Sequence, residues 1–445
     1  MVTSMLSNRE EIYNIKTLNR VSLYVKLLLC LVAFSVLGGT NDTILAKNQL
    51  GVIGLYILYC VAAFRRKNYP LTRTIRNVTE HSIVLLILFV ASALYSIDTA
   101  MTLRMCLYLF IYELVWEFYL DIRHYVALIY AIRIAGVILA VSIIVSAIIK
   151  ERFVSLLSPW LINQARVLQD IRYGQFSGLV GDRSFAAIAM CNSMFAEFSV
   201  MLCNRKINKW NMLALLLCLI AMFLTGKRIT IMMLLCGVVA ALVVSRDVQI
   251  KRTSIITIVS MLALSIGAMY FLPQTQVVLN RVLNGIGDTS LNDRTKFWSV
   301  ALEMFLRKPI SGWGIGSFLQ FNLEHGTGIR QYAHNMYLQF AAELGTIGTV
   351  FVMWLLLRFL KLTVKLTRQS TVSNELHNNR LLCLFSLMVQ IGFFAYGITG
   401  YPFYNIQQGF LYAICTSMIL CVDTTNIREA QSKNEIIARY IRPMG

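Results

Sequence analysis

Long apolar runs separated by short polar connections dominate the chain. Each run has about the length, roughly 20 residues, that an α-helix needs to cross a hydrocarbon core about 30 Å thick. Although the second run is short and polar residues interrupt the sixth, the pattern predicts an all-α polytopic membrane protein with about twelve transmembrane helices. The runs lie near residues 21–38, 50–64, 81–97, 102–120, 125–149, 183–203, 211–225, 228–245, 254–272, 335–357, 380–398 and 405–422.

Composition supports this class. The 445 residues are 57% hydrophobic and only 14% charged, whereas soluble domains have about 45–50% apolar and about 25% charged residues. A water-soluble enzyme and a disordered chain are therefore excluded. The net charge of +19 would indicate nucleic acid in a soluble protein, but in a membrane protein it reflects basic cytoplasmic loops. We expect no nucleic-acid partner, and the ten cysteines, all in or beside apolar runs, predict neither disulfides nor a metal site.

The distribution of Lys and Arg predicts the orientation. With a cytoplasmic N-terminus, 24 basic residues fall on the inside and 3 in the short outside loops, namely Lys47, Lys227 and Arg228. The positive-inside rule therefore predicts that both termini are cytoplasmic. The first apolar run follows a polar lead of some twenty residues without a clear cleavage site, so we expect it to stay in the mature protein.

The predicted organisation has four parts. Residues 1–272 hold nine helices, 273–334 an extracytoplasmic loop, 335–422 three helices and 423–445 a cytoplasmic tail. Two long outer segments carry basic residues against the insertion bias, which suggests that they hold an anion at the outer membrane face. These residues are Lys150, Arg152, Arg166 and Arg172 in the first segment, 150–176, and Arg281, Arg294, Lys296, Arg307, Lys308 and Arg330 in the second, 273–333.

Within the large loop, the pattern predicts two helices and a glycine turn. Residues 275–284 suit an amphipathic helix on the membrane surface. A second helix is expected from a cap at Asn292 or Asp293 to Lys308, before Pro309. Its predicted buried face consists of Trp298, Ala301, Leu302 and Phe305. A flexible turn with three glycines is expected to follow, and our hypothesis is that it brings backbone close to a ligand. Its glycines are Gly312, Gly314 and Gly316.

Several charged or titratable residues stand at informative places. His334 lies at a membrane–water boundary close to Arg330, and a packing role and a functional role are equally open. Arg183, at the outer end of its span, either helps to hold the anion or pairs with its neighbour Asp182. Since an intramembrane charge needs a partner, we expect a structural ion pair between Glu113 and Arg133 on adjacent spans.

Four short stretches resemble the O-antigen ligase/polymerase family of bacterial membrane glycosyltransferases. They are Asn292-Asp-Arg-Thr-Lys-Phe-Trp298, Lys308-Pro-Ile-Ser-Gly-Trp-Gly-Ile-Gly316, Ala333-His-Asn-Met-Tyr-Leu-Gln339 and Glu343-Leu-Gly-Thr-Ile-Gly348. The resemblance is specific over about residues 290–350, and elsewhere it rests on span number and topology. The family also places a large outer loop between two late helices.

The resemblance implies a site without metal or cofactor. The family's arginine at the outer end of a middle helix matches Arg228, its loop arginine before an aromatic residue matches Arg294, and its histidine before asparagine matches His334. Lys227 stands where a small hydroxyl residue is commoner in the family. The expected donor is an undecaprenyl-pyrophosphate-linked glycan, passed to a hydroxyl of a glycan acceptor. Guanidinium groups bind phosphate oxygens in bidentate fashion, and a histidine with a pKa near 6.5 accepts a proton at neutral pH. Arg183, Lys227 and Arg330 are additional candidates for substrate binding.

The resemblance also implies a location and partners. We expect a bacterial cytoplasmic (inner) membrane protein with an extracytoplasmic active site, in contact with the lipid bilayer and with other polysaccharide-assembly proteins. Three functions stay open. A polymerase that joins lipid-linked repeat units into O-antigen or capsule is favoured, and a ligase that moves the glycan onto a lipid A-core or other acceptor is the alternative. A polysaccharide or lipid transporter is third, since the sequence shows no internal repeat.

Overall fold

The computed structural model describes residues 21–39, 43–65, 73–204, 208–245, 289–370 and 377–441, and isolated positions between 252 and 263. The described residues are mainly helical, and their only β-type pairing is the bridge between Thr43 and Leu161. This confirms the all-α fold class. The predicted ninth span at 254–272 and the surface helix at 275–284 lie almost wholly outside the described residues.

The helices that the structure describes are named here in chain order. They are α1 (Leu23–Gly38), α2 (Ile44–Arg65), α3 (Arg73–Ser92), α4 (Thr99–Glu117), α5 (Ile122–Ile149), α6 (Glu151–Leu156), α7 (Gln164–Arg172), α8 (Arg183–Asn204), α9 (Lys209–Leu224), α10 (Ile229–Val244), α11 (Thr289–Arg307), α12 (Phe318–His325), α13 (Met336–Ser370), α14 (His377–Gly397) and α15 (Ile406–Ile441). Short 3-10 turns lie at Gly178–Val180 and Pro402–Tyr404.

Six of the described helices, α4, α5, α8, α13, α14 and α15, are long and apolar enough to cross a membrane. The helices α1, α2, α9 and α10 hold shorter apolar stretches. The third predicted span, 81–97, is displaced, because α3 begins at Arg73 and ends at Ser92. The chain is therefore a multi-pass α-helical membrane protein, while the count of twelve spans stays a prediction.

Helix α8 lies inside the bundle. Nearly its whole length is buried, and it packs against α5, α9, α10 and α14. The polar residues that interrupt this apolar run, including Asn192 and Ser193, are therefore internal rather than facing lipid. Gly136 on α5 lies directly against the Ser193 side chain, where a Cβ would collide. Small residues at such contacts let helices approach closely within a membrane.

The internal ion pair differs from the predicted one. Arg133 on α5 binds Glu197 on α8, with Nη2 2.8 Å from Oε2, and donates a hydrogen bond of 3.0 Å to Asn211 on α9. Glu113 on α4 instead lies near Ser82 on α3. The prediction was wrong because similar depth along two spans does not determine the direction in which each side chain points around its helix.

A break at Gly345 divides α13 and connects it to the outer loop. Gly345 has φ +62° and ψ −169°, outside the helical region. The break frees backbone amides that the loop then uses, and the Thr346 amide donates to the Pro309 carbonyl at 2.8 Å. Gly312 packs closely against this backbone. A Cβ on Gly312 would collide with the backbone of Glu343, and a Cβ on Gly345 would collide with the backbone of Ile310. The glycine turn is thus anchored in the break.

Helix α11 buries a different face from the predicted one. It begins at Thr289, so Asn292 and Asp293 lie inside it rather than at its cap. Leu302 is 50% exposed. The buried face consists of Phe297, Val300, Ala301 and Met304, which pack against Phe318, Phe321, Ala333 and Ala342. The predicted face is displaced by about one residue along the chain from the observed one. The prediction was wrong because it gave the large aromatic residues Trp298 and Phe305 more weight than Met304.

Candidate functional site

Three segments place basic groups within electrostatic range of one another at the end of the bundle that the charge pattern predicts to be outside, called the outer end below. Lys227 comes from the turn between α9 and α10, Arg294 from the beginning of α11, and His334 from the residue pair before α13. In addition to burial, the positive charge on Arg294 lowers the pKa of both Lys227 and His334, and Lys227 also lowers the pKa of His334. We call Lys227 and Arg294 the cationic cluster, and His334 lies within electrostatic range of both.

The turn that carries Lys227 is held by the first outer segment. Gly226 has φ +70° and packs against the Gln175 side chain, and the Phe176 amide donates to the Leu224 carbonyl at 3.0 Å. Burial and the nearby positive charges of Arg183 and Arg294 lower the pKa of Lys227 to about 8. Lys227 therefore remains mostly protonated at pH 7, at a place where an added anion would be stabilised.

His334 adopts a backbone conformation that is rare for its residue type. Its φ is +53°, a left-handed conformation that costs energy unless the surroundings impose it. The Gln331 side-chain amide lies 2.8 Å from Nε2 of the imidazole, and the Tyr401 ring lies edge-on at 5.4 Å between centroids. An outlier of this kind at the end of a loop is typical of functional residues.

The pKa of His334 differs from the value of about 6.5 expected from the sequence. Burial lowers it to about 4, followed by the positive charges of Arg294 and Lys227. The imidazole is therefore neutral at pH 7 and free to accept a proton. A bound anion would oppose these positive charges and raise the pKa, so that the basicity of His334 depends on what the cluster holds.

Two arginine–carboxylate pairs join the first outer segment to the beginning of α8. Arg183 lies 3.5 Å from Asp170, measured from Nε to Oδ1, and Arg166 lies 2.5 Å from Asp182. Asp182 also caps α8 by accepting hydrogen bonds from the amides of Ser184 and Phe185. Arg183 thus pairs with Asp170 and not with Asp182, the partner considered from the sequence. Burial raises the pKa of Asp170.

Arg330 and Arg228 have different surroundings. Arg330 donates to Asp98 at 2.9 Å, and Asp98 in turn caps α4 through the Met101 amide. This pair connects the outer loop to the beginning of α4. Arg228 follows Lys227 directly and is the residue before α10, so it lies beside the cationic cluster in the chain.

The glycine turn does not offer its amides to a ligand. Gly312, Gly314 and Gly316 all have positive φ. Their surroundings explain this, because Gly314 packs against Ser96 and Gly316 against Met101. The Gly314 amide donates to the Glu343 carbonyl at 2.8 Å, and the Gly316 amide to the Glu343 carboxylate at 2.7 Å. The Gly314 and Gly316 amides are therefore used within the protein, and the hypothesis that this turn brings backbone close to a ligand gains no support from them.

Glu343 is the residue whose importance the sequence did not reveal. Its fully buried carboxylate accepts hydrogen bonds from four donors: the Gly316 and Phe318 amides, the Gln339 side chain and the Tyr404 hydroxyl. It therefore joins the glycine turn, α13 and the turn before α15. The same turn carries Tyr401, which lies against His334. The only signal was its place in the Glu343–Gly348 stretch that resembles the family.

The comparison with known families agrees with the resemblance. Residues 213–353 match the sequence profile of the family described as O-antigen ligase. No curated protein matches the chain significantly. The match confirms that this chain resembles the O-antigen ligase/polymerase family, and it spans Lys227, Arg228, Arg294, Arg330 and His334. Among the described residues, no group of three or more His, Cys, Asp and Glu side chains is arranged to hold a metal ion.

Proposed function

We propose that the protein is a membrane glycosyltransferase that polymerises undecaprenyl-pyrophosphate-linked oligosaccharide units at the outer face of the bacterial cytoplasmic membrane. The observation that carries this proposal is that Lys227 and Arg294 lie within electrostatic range of His334, all inside the segment that matches the family. Positive charge that lowers the pKa of neighbouring basic groups makes a site whose electrostatic energy improves when an anion enters. The pyrophosphate of a lipid-linked donor is such an anion.

The cationic cluster would stabilise the leaving group. When the bond between the anomeric carbon and the phosphate oxygen breaks, its electron pair goes to the pyrophosphate. Positive groups already in place stabilise this developing charge without further reorganisation. We assign this role to Arg294 and Lys227, together with Arg228, which the resemblance implies. Arg183 and Arg330 have carboxylate partners, and we assign them to holding the outer segments in place.

His334 would accept the proton of the acceptor hydroxyl. As the hydroxyl oxygen forms its bond to the anomeric carbon, the proton passes to the neutral imidazole and later to solvent. The pKa of about 4 makes His334 a weak base while the site is empty. A bound pyrophosphate would raise that pKa towards neutrality, so that proton acceptance is coupled to donor binding.

A ligase is the second candidate. The family whose profile matches is described as O-antigen ligase, and a ligase would use the same donor and the same leaving-group chemistry. The two activities differ only in the acceptor, which is a second lipid-linked unit for the polymerase and a lipid A-core or other acceptor for the ligase.

Reconstitution in liposomes distinguishes these functions. With one synthetic undecaprenyl-pyrophosphate oligosaccharide as the only substrate, we expect a ladder of lengthening chains, detected on gels and by mass spectrometry, and released lipid pyrophosphate. Transfer only after a lipid A-core acceptor is added would replace the polymerase by the ligase. Intact donor under both conditions, with donor moved across the liposome membrane, would overturn both and favour a transporter.

A further inference from the structure

A cavity lies at the other end of the bundle, far along the chain from His334. It has a volume of about 900 Å³ and lies between the beginning of α3 and the last turns of α13. Among the described residues that line it, four are basic and none is acidic. These residues are Arg358, Lys361, Lys365 and Arg368. The proposed function gives this cavity no role.

The four basic residues share one face of α13. Their spacing of three, four and three residues keeps them within an arc of about 80° on a helix with 3.6 residues per turn. The positive-inside rule requires basic residues near this end but does not require them on one face. Their alignment along a cavity therefore needs a further explanation, which is the binding of an anion.

The walls of the cavity identify the kind of anion. Val78 on α3 and Leu362 and Val364 on α13 line it beside the basic residues. Lys365 follows the Gly345 break by 20 residues, about 30 Å of helix, which equals the thickness of the hydrocarbon core. Arg358 and Lys361 lie one to two turns deeper, where long basic side chains reach back to the interface. The cavity thus combines an apolar wall with basic groups at headgroup depth.

We propose that this cavity binds the phosphate headgroup of an anionic phospholipid, with an acyl chain along its apolar wall. A soluble phosphate compound would use the basic residues but not the apolar wall. With the orientation predicted from the charge pattern, the lipid belongs to the cytoplasmic leaflet, whose surface is negative. The site is separate from the donor site, and its test is independent of transferase activity.

Native mass spectrometry and equilibrium binding with phosphatidylglycerol test the proposal. The variant is Lys361→Gln with Lys365→Gln, both exposed. The control is Lys209→Gln, an exposed lysine on α9 that does not line the cavity. The double variant should bind phosphatidylglycerol at least about tenfold more weakly, the control should bind as the wild type does, and phosphatidylcholine should bind weakly to all three.

Two results would overturn the proposal. Equal phosphatidylglycerol binding by the wild type and the double variant would show that the cavity does not hold the headgroup. Inorganic pyrophosphate that displaces the lipid from the cavity at equal concentration would show that the site selects a soluble anion. The melting temperature of each variant in detergent checks that the compared proteins are folded. Because Lys361 and Lys365 are exposed, we expect their substitution to change it little.

Discussion

Two regions at the outer end place positive charge in different surroundings. In the first, where the first outer segment meets the beginning of α8, Arg166 and Arg183 pair with Asp182 and Asp170, so that each pair joins the segment to the helix. In the second, Arg294 lies near Lys227 and His334, and the pKa values of both are lowered. The comparison suggests that arginine has two different roles in this protein. We assign the paired arginines to fixing the outer segment in position, and Arg294, which lies near Lys227, to binding an external anion.

The largest effect is expected at His334. His334→Ala should lower the rate of glycan transfer by about 10²- to 10⁴-fold, the usual contribution of a positioned general base, while insertion and melting temperature change little. His325→Ala is the matched control, since His325 is the other histidine of the outer loop and stacks on Phe321 at 5.1 Å. Transfer rates of both variants in liposomes check this, and a fully active His334→Ala protein would remove His334 from the mechanism.

The next effect tests how the second segment is held. Glu343→Ala would leave four buried donors without their acceptor, at a cost of about 1–3 kcal/mol for each unsatisfied group. We expect a melting temperature lowered by many degrees and loss of transfer. Glu343→Gln should be milder because its carbonyl still accepts. Glu303→Ala, which removes an exposed pair with Arg307, serves as the control, and equal melting temperatures for the two alanine variants would contradict the account.

A direct test of the comparison exchanges one arginine from each region for alanine. Arg294→Ala should lower kcat/KM for the lipid-linked donor by about 10²-fold with little change in stability. Arg183→Ala should instead lower stability by about 1–2 kcal/mol, because it leaves the buried Asp170 without this partner, with a smaller effect on kcat/KM. The comparison fails if the two variants show the reverse pattern in kinetics and thermal unfolding.

The smallest effect is a pH dependence. Since Lys227 has a pKa of about 8, it loses its positive charge as the pH rises through 8, and kcat/KM for the donor should fall above that pH by about tenfold. Lys227→Arg should keep activity at high pH, because arginine stays protonated. Parallel pH profiles of the two proteins check this, and identical alkaline limbs would mean that another group titrates.

Sequence patterns predicted the class of the protein, because hydrophobic length identified the helical membrane class. The resemblance supplied Lys227, Arg294 and His334 as site candidates. The structure places the three within electrostatic range of one another, and their roles stay predictions. The errors have one cause. A sequence indicates how deep a residue lies along a helix but not in which direction its side chain points around that helix. For this reason the predicted partner of Arg133 and the predicted buried face of α11 were both wrong.

Other features depend on distant contacts that the sequence does not express. Glu343 becomes important only because Gly316 and Tyr404 meet it from separate segments. The pKa of His334 follows from burial and from charges on two other elements. Each lies beyond the reach of local pattern analysis.

The central claim is that the cationic cluster holds the pyrophosphate of a lipid-linked donor beside His334. NMR of protein labelled at its five histidines measures this most directly, with the His334 signal assigned by its loss in His334→Ala. We predict that the pKa of His334, about 4 in the free protein, rises by one unit or more when inorganic pyrophosphate or the lipid donor is added, and that Arg294→Ala weakens this response. A His334 pKa that pyrophosphate and donor leave unchanged would contradict the account.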